Sequence, residues 1–159
     1  MKVIRIDHSE LFNPNELIGE DWTIVEEDEH SLALNEFNLD EVKLVTVLED
    51  GEAGIRGEEM LRRLKEAGHI RLDAKTFQTI WRHQDFIPEP WKKKTGTKPN
   101  YIFFCGTILC DQDGNRYVLC LYWDGYRWRW HYYDLAEVWN CNHLSAVLTI
   151  DDDETRMAT

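Results

Sequence analysis

Two Asp-Gly pairs in the last third of the chain constrain the fold more than any other feature. Asp113-Gly114 and Asp124-Gly125 separate alternating runs that are rich in aromatic and β-branched residues. Asp-Gly between two such runs is a strong signal for a tight β-hairpin. With a further β-branched run near the C-terminus, the pattern predicts an antiparallel β-meander. Its strands are expected at about residues 101–110, 117–123, 126–133 and 144–150.

Two-residue turns at both pairs also predict the register, with Leu119 opposite Ile108 and Leu121 opposite Trp128. Successive side chains alternate between faces, so this register sorts the residues onto two faces. One uncharged face, the core face, is expected to carry Ile108, Cys110, Tyr117, Leu119, Leu121, Trp123, Trp128, Trp130 and Tyr132. The other, the mixed face, is expected to be at least half exposed and to carry Cys105, Thr107, Leu109, Val118, Cys120, Tyr122, Arg127, Arg129, His131 and Tyr133.

Two helices are predicted before the meander, at about residues 57–67 and 74–85. In the first, Met60 and Leu64 belong to an apolar stripe at helical spacing. Asp73 is a natural N-cap for the second helix, and the prolines near residue 90 forbid its continuation. The apolar side of the second helix, which includes Phe77, is expected to cover the core face of the meander.

The N-terminal region is predicted to contain a smaller, acidic β-hairpin. Apolar runs at 22–25 and 31–34 flank the acidic residues Glu26, Glu27, Asp28 and Glu29. A chain of 159 residues is the usual size of one domain. We therefore expect a single α+β domain over 1–150, followed by a disordered acidic tail over 151–159. Within the domain the sequence separates an acidic region (1–56), a helical region (57–91) and the meander (100–150).

The charge of the chain is unevenly distributed. The net charge is −12, yet residues 1–59 hold 17 acidic and 4 basic residues, while residues 60–150 hold 9 acidic and 13 basic residues. A protein that binds nucleic acid in general carries a basic surface, so that class is disfavoured, whereas a basic protein partner fits the acidic third. No apolar run has the length of a membrane span or a signal peptide. We expect a cytoplasmic protein with reduced cysteines and no membrane partner.

The mixed face carries the most informative group of polar side chains. Arg127 and Arg129 stand beside His131, Tyr122 and Tyr133. Guanidinium groups next to aromatic rings can hold a carboxylate, a phosphate or a stacked base. The alternative is that the arginines only solvate an outer face and lay their stems over the rings.

The sequence offers little for catalysis or for a cofactor. It has no Gly-x-Ser-x-Gly, no phosphate-binding loop and no Gly-x-Gly-x-x-Gly, so we lean towards a protein that is not an enzyme. Cys-x-x-Cys and His-x-x-x-His spacings are also missing, so no metal site is predicted. Sequence reasoning leaves open whether the following residues are functional or structural: Cys105, Cys120, Cys141, His131 and His143.

One resemblance to other proteins is carried by residues 57–59, 70–75, 86–91, 101–104, 106–107, 121–125 and 145–148. These stretches resemble a group of small bacterial proteins from uncultivated candidate phyla. The resemblance covers about residues 20–150, and it implies one protein throughout and a bacterial cytoplasm. Because no activity is attached to the group, the resemblance implies no reaction, cofactor or catalytic residue.

Two functions are compatible with these features. The preferred one is a non-enzymatic binding or regulatory module that docks a basic protein on Glu26, Glu27, Asp28 and Glu29, as an inhibitor, an immunity protein or a nucleic-acid mimic would. The alternative is a small-ligand or nucleic-acid site on the Arg/Tyr/His group, with or without an enzymatic activity. The oligomeric state is not predicted.

Overall fold

The computed structural model describes residues 3–149, and the predicted acidic tail lies outside this range. The helices are α1 (Pro14–Leu17), α2 (Glu29–Leu32), α3 (Gly57–Glu66) and α4 (Ala74–Arg82). The strands are β1 (Val3–Arg5), β2 (Thr23–Glu27), β3 (Glu36–Asn38), β4 (Lys43–Val45), β5 (Gly54–Arg56), β6 (Ile70–Arg71), β7 (Lys94–Thr95), β8 (Lys98–Pro99), β9 (Tyr101–Cys110), β10 (Arg116–Trp123), β11 (Trp128–Asp134), β12 (Val138–Asn140) and β13 (His143–Leu148). Short 3-10 helices cover Leu39–Glu41, Gln84–Phe86 and Glu89–Lys92.

The predicted α+β class and the C-terminal meander-like sheet are confirmed. The main sheet has the strand order β11-β10-β9-β13-β4, and β2 and β6 pair at its side with β9 and β13. One pairing differs from a simple meander, because β13 runs parallel to β9 instead of continuing beside β11. Strand β12, which lies between β11 and β13 in the sequence, pairs with β5 outside the main sheet. The chain thus leaves the main sheet after β11 and returns to it beside β9. As a result, β11 remains an edge strand.

Helix α4 covers the core face, as the sequence predicts. Asp73 caps it by accepting the backbone N–H of Thr76 at 2.8 Å. The buried ring of Phe77 packs edge-on against Phe104 of β9, with ring centroids 5.5 Å apart. Residues of the first strands, including Ile4, join the same core. This helix therefore fixes the side of the sheet on which the aromatic residues of β10 and β11 lie.

The mixed face differs from the prediction, because it forms a second core. Helix α3 packs Met60 and Leu64 into a cluster with Phe103, Val118 and Cys120, all of them buried. Trp139 closes this cluster and stacks on Phe103 at 4.2 Å. A helix on each side buries both faces of the central strands, so only the side chains of edge strand β11 are left largely open on the mixed face.

The register of the β10–β11 hairpin is shifted by two residues. Leu121 lies opposite Trp130 and not opposite Trp128. The carboxylate of Asp124 accepts the backbone N–H groups of Tyr126 and Arg127, both at 2.8 Å, and this widens the turn. A shift of two residues preserves the alternation of side chains, so the predicted faces of β10 and β11 are correct.

The register of the β9–β10 hairpin is broken, which exchanges two predicted positions. Leu119 lies opposite Phe104 and not opposite Ile108. Ile108 therefore belongs to the second core, and Leu109 belongs to the first. The break adjoins Gly106, whose N–H donates to the carbonyl of Leu72 at 2.8 Å. This contact draws β9 towards the segment before α4, which turn chemistry alone does not reveal.

The predicted N-terminal hairpin is wrong. Strand β2 pairs with β9, and the residues after it form helix α2. Asp28 ends the strand and begins the helix, because its Oδ1 accepts the N–H of His30 at 2.9 Å. Polar residues between two apolar runs fit a hairpin turn, yet here one of them is a helix cap.

The described residues contain no helix whose length and apolar character would let it cross a membrane. The limits predicted for a single domain over 1–150 stay a prediction.

Candidate functional site

An open groove of about 460 Å³ lies over edge strand β11 at the end where the strand begins. We call it the Trp–Arg groove, and its walls are Trp81, Gln84, Tyr122, Arg127, Trp128, Arg129 and Trp130. The rings of Trp81 and Trp130 both contact the buried ring of Phe77, with centroids 6.4 and 6.3 Å away. Because a core residue holds these indoles, the aromatic wall is formed before any ligand arrives.

The two arginines of the groove differ in their partners. Arg129 donates from Nε to Asp124 Oδ2 at 2.5 Å. This hydrogen bond, more than the backbone N–H groups that the carboxylate also accepts, lowers the pKa of Asp124 to about 2. Arg127 is exposed and has no ion-pair partner within residues 3–149. The groove therefore presents one neutralised guanidinium and one that is free to bind an anion.

The structure separates the five predicted binding residues. Tyr122, Arg127 and Arg129 line the Trp–Arg groove, although Arg127 lies in the turn and not on a strand. His131 and Tyr133 line a neighbouring recess near the other end of β11. The ring of Tyr133 also packs on the second core, so it serves structure as well as surface.

The cysteines and histidines named above are held in different surroundings. Burial raises the pKa of the Cys105 thiol to about 11 and raises that of Cys120 as well, which makes both poor nucleophiles. Burial lowers the pKa of His143 to about 4, and its Nδ1 accepts the N–H of Asn140 at 2.7 Å. Cys141 is exposed. Within residues 3–149, no three His, Cys, Asp or Glu side chains are grouped so that they could hold a metal ion.

The four acidic residues predicted as an interaction surface do not share one exposed surface. Glu26 forms ion pairs with Lys65 and Arg116. Asp28 is buried, and its Oδ2 accepts the backbone N–H of Arg71 at 2.9 Å. Glu27 lines a cavity, and Glu29 alone of the four is classed as exposed. Two of the four carboxylates, Glu26 and Asp28, are therefore paired with cations of the same molecule and are not available to a basic partner.

The cavity that Glu27 lines, which we call the His8 cavity, is also lined by His8, whose pairing with Asp73 sequence reasoning missed. It has a volume of about 280 Å³ and lies between the segment after β1, strand β2 and helices α2 and α4. His8 Nε2 lies 2.8 Å from Oδ2 of Asp73 across 65 residues of chain. The N-cap position of Asp73 is readable from the sequence, but no local signal indicates its second partner.

No family model, no curated protein and no solved structure matches the chain. The resemblance described above therefore stays an expectation.

Proposed function

We propose that the protein is a binding module that takes up one planar anion in the Trp–Arg groove, such as a nucleotide base with its phosphate. A preformed aromatic wall beside the unpaired guanidinium of Arg127 carries the proposal. A planar ring would stack on the indoles, and a phosphate or carboxylate would accept the N–H groups of Arg127. This is a proposal of binding, and it assigns no catalytic residue.

The net charge of −12 favours a single small anion over a nucleic acid strand. Each further phosphate of a strand adds repulsion from the acidic part of the molecule, and general nucleic-acid binding needs a row of cations. Stacking contributes about 1–3 kcal/mol per base, and a charge-assisted hydrogen bond contributes about 1.5–3 kcal/mol. Together they correspond to a dissociation constant between about 0.04 and 15 mM.

Titration of tryptophan fluorescence with adenosine monophosphate tests the proposal. Ribose 5-phosphate supplies the phosphate without the base, adenosine supplies the base without the charge, and both should bind more weakly. Arg127→Gln should weaken binding of the nucleotide about tenfold, which is the loss of about 1.4 kcal/mol. Arg56→Gln is the matched control, because Arg56 is an exposed arginine of β5 outside the groove.

Two outcomes would contradict the proposal that one planar anion binds in the Trp–Arg groove. Equal affinities of Arg127→Gln and Arg56→Gln would show that the phosphate does not contact Arg127. An oligonucleotide of ten residues that binds far more tightly than the mononucleotide, with a steep salt dependence, would indicate a nucleic acid strand as the ligand.

A second candidate function, docking of a basic protein on the N-terminal region, is favoured by carboxylates that internal cations leave unpaired. Within residues 3–149 these exposed side chains have no ion-pair partner: Glu16, Glu20, Asp21, Glu29, Asp40 and Glu41. A variant that combines Glu29→Gln, Asp40→Asn and Glu41→Gln should lose a basic protein captured by affinity, and Glu137→Gln should keep it. Unchanged capture by the triple variant would contradict this docking site.

A further inference from the structure

The His8 cavity has an apolar body and a polar end. Phe12, Ile24 and Leu32 supply apolar walls, and His8 and Glu27 supply polar ones. Ligand pockets usually combine a mostly apolar lining with a few placed polar groups, and their volumes begin at about 300 Å³ for drug-sized molecules. At about 280 Å³, this cavity suits a smaller ligand.

The pairing of His8 with Asp73 determines which nitrogen of the imidazole ring is left to accept a hydrogen bond. Asp73 is fully buried, and its Oδ1 caps α4, so its carboxylate acts as an acceptor on both oxygens. A carboxylate only accepts, so His8 Nε2 carries the hydrogen and, in the neutral ring, Nδ1 carries a lone pair. His8 Nδ1 is buried and has no hydrogen-bond partner within residues 3–149. A buried acceptor without a donor costs free energy that a ligand donor would recover.

Glu27 supplies a second acceptor, and its carboxyl group has no ion-pair partner within residues 3–149. Its carboxyl group accepts a hydrogen bond from Thr107, whose Oγ1 in turn accepts the N–H of Ala74 at 2.8 Å. Burial and the charge of Asp73 raise the pKa of Glu27, although His8 and Thr107 oppose this shift. The raised pKa shows that burial and the charge of Asp73 outweigh the opposing effects of His8 and Thr107.

The wall of the His8 cavity also contains a cation and its counter-ion, Lys75 and Glu10. The side chain of Lys75 is largely buried, and its Nζ lies 3.2 Å from Gln78 Oε1 and 3.7 Å from Glu10 Oε2. With Lys75 balanced by Glu10, the carboxylates of Glu27 and Asp73 leave the polar end of the cavity negative. An anionic ligand is therefore disfavoured, and a ligand that donates hydrogen bonds from a positive group is favoured.

We propose that the His8 cavity is a binding site for a small primary amine in its ammonium form. The ammonium group donates to His8 Nδ1 and to the carboxylate of Glu27, and the apolar part of the amine lies against Phe12, Ile24 and Leu32. The site is distinct from the Trp–Arg groove and does not depend on the function proposed for it.

Isothermal titration with benzylamine tests this site, with benzoate as the anion of similar size and benzyl alcohol as the uncharged one. Benzylamine should bind, benzoate should not, and benzyl alcohol should bind at least tenfold more weakly than the amine. Glu27→Gln should weaken benzylamine binding about tenfold or more. Glu29→Gln makes the same change on an exposed side chain two residues along and should leave the affinity within twofold.

A second measurement does not rely on a variant. Long-range proton–nitrogen spectra of the imidazole rings should show His8 protonated at Nε2 and unprotonated at Nδ1. Saturating benzylamine should shift the Nδ1 resonance of His8 and leave that of exposed His30 unchanged. Arg127→Gln should not alter any of these results, so the amine site and the groove can fail separately.

Three results would overturn the proposal. The first is benzoate binding as tightly as benzylamine. The second is equal benzylamine affinity in Glu27→Gln and Glu29→Gln, with circular dichroism showing both folded. The third is a His8 Nδ1 resonance that does not move at saturating amine.

Discussion

Replacing Asp28 with asparagine should destabilise the fold far more than neutralising its neighbour Glu29. Asp28 Oδ2 accepts the N–H of Arg71 at 2.9 Å and lies 3.5 Å from its Nε, and both side chains are more than nine-tenths buried. Asp28 Oδ1 accepts the N–H of His30 and so caps α2. The Asp28 carboxylate thus holds three groups in place: the first turn of α2, the backbone of β6 and the buried guanidinium of Arg71.

The expected cost follows from these contacts. Asparagine has only one acceptor oxygen. Its NH2 group must therefore face either the N–H of His30 or the N–H of Arg71, and that N–H loses its acceptor. Loss of a cap costs about 0.5–2 kcal/mol, and a buried donor without an acceptor costs about 1–3 kcal/mol. Removing one member of a buried ion pair costs about 3–5 kcal/mol, but Arg71 keeps the carbonyl of Cys105 at 3.0 Å and Glu26 at 3.9 Å. We expect a loss of about 2–4 kcal/mol.

Urea unfolding at pH 7, followed by tryptophan fluorescence, measures this loss. Thermal unfolding should show the same loss. For a domain of this size a loss of about 1 kcal/mol lowers Tm by roughly 2–4 °C, so Asp28→Asn should lower Tm by about 4–16 °C. Glu29→Gln, which changes an exposed side chain by the same chemistry, should stay within about 0.5 kcal/mol of the parent. If the two variants differ by less than that, Asp28 is not a buried structural anion.

Three further outcomes are expected. Gly106→Ala should lower the free energy of unfolding in urea by about 3 kcal/mol or more, because a Cβ there would lie 2.2 Å from the carbonyl oxygen of Arg71. A loss under 1 kcal/mol would contradict this contact. Alkylation of the folded protein, followed by peptide mass spectrometry, should label exposed Cys141 and spare Cys105, whose thiol pKa burial raises to about 11; equal labelling would refute the burial. The pKa of His143 is lowered from 6.5 to about 4, so the unfolded chain binds its proton first, and stability should fall as pH drops through that window. His143→Gln should flatten this part of the pH profile.

Local patterns predicted the hairpin-linked strands β9, β10 and β11 and their pairing, but not the pairing of elements that are distant along the chain. Alternation and the Asp-Gly turns place β9, β10 and β11 within two residues of their observed limits. Alternation also survives the two-residue register shift at Asp124, which is why the faces of β10 and β11 were predictable. The partner of an element depends on contacts far along the chain. Nothing local indicates that α3 covers the mixed face, or that β2 leaves its expected hairpin to pair with β9.

The two candidate sites differ in the same way. Apart from Trp81 and Gln84, the Trp–Arg groove collects residues from β10, β11 and the turn between them, so Tyr122, Arg127 and Arg129 were predictable as a group. The His8 cavity joins His8, Glu27 and Asp73 from three separate elements, and each residue has an ordinary local explanation. A cap residue with a second, long-range partner is visible only once the chain is folded.

The uneven charge of the chain acts across the sheet and leaves its two ends electrostatically different. Glu26 and Glu27 of β2 lie beside Ile108 and Thr107 of β9, near one end of that strand. Leu121 lies opposite Ile102 near the other end, and the turn that carries Arg127 follows two residues later. At about 3.3 Å per residue, the carboxylates and the turn are about 25 Å apart along the strands. That distance is more than two Debye lengths at physiological salt, where the length is about 8 Å. Glu26 and Glu27 therefore repel an anion at the Trp–Arg groove only weakly, although they contribute to the net charge of −12.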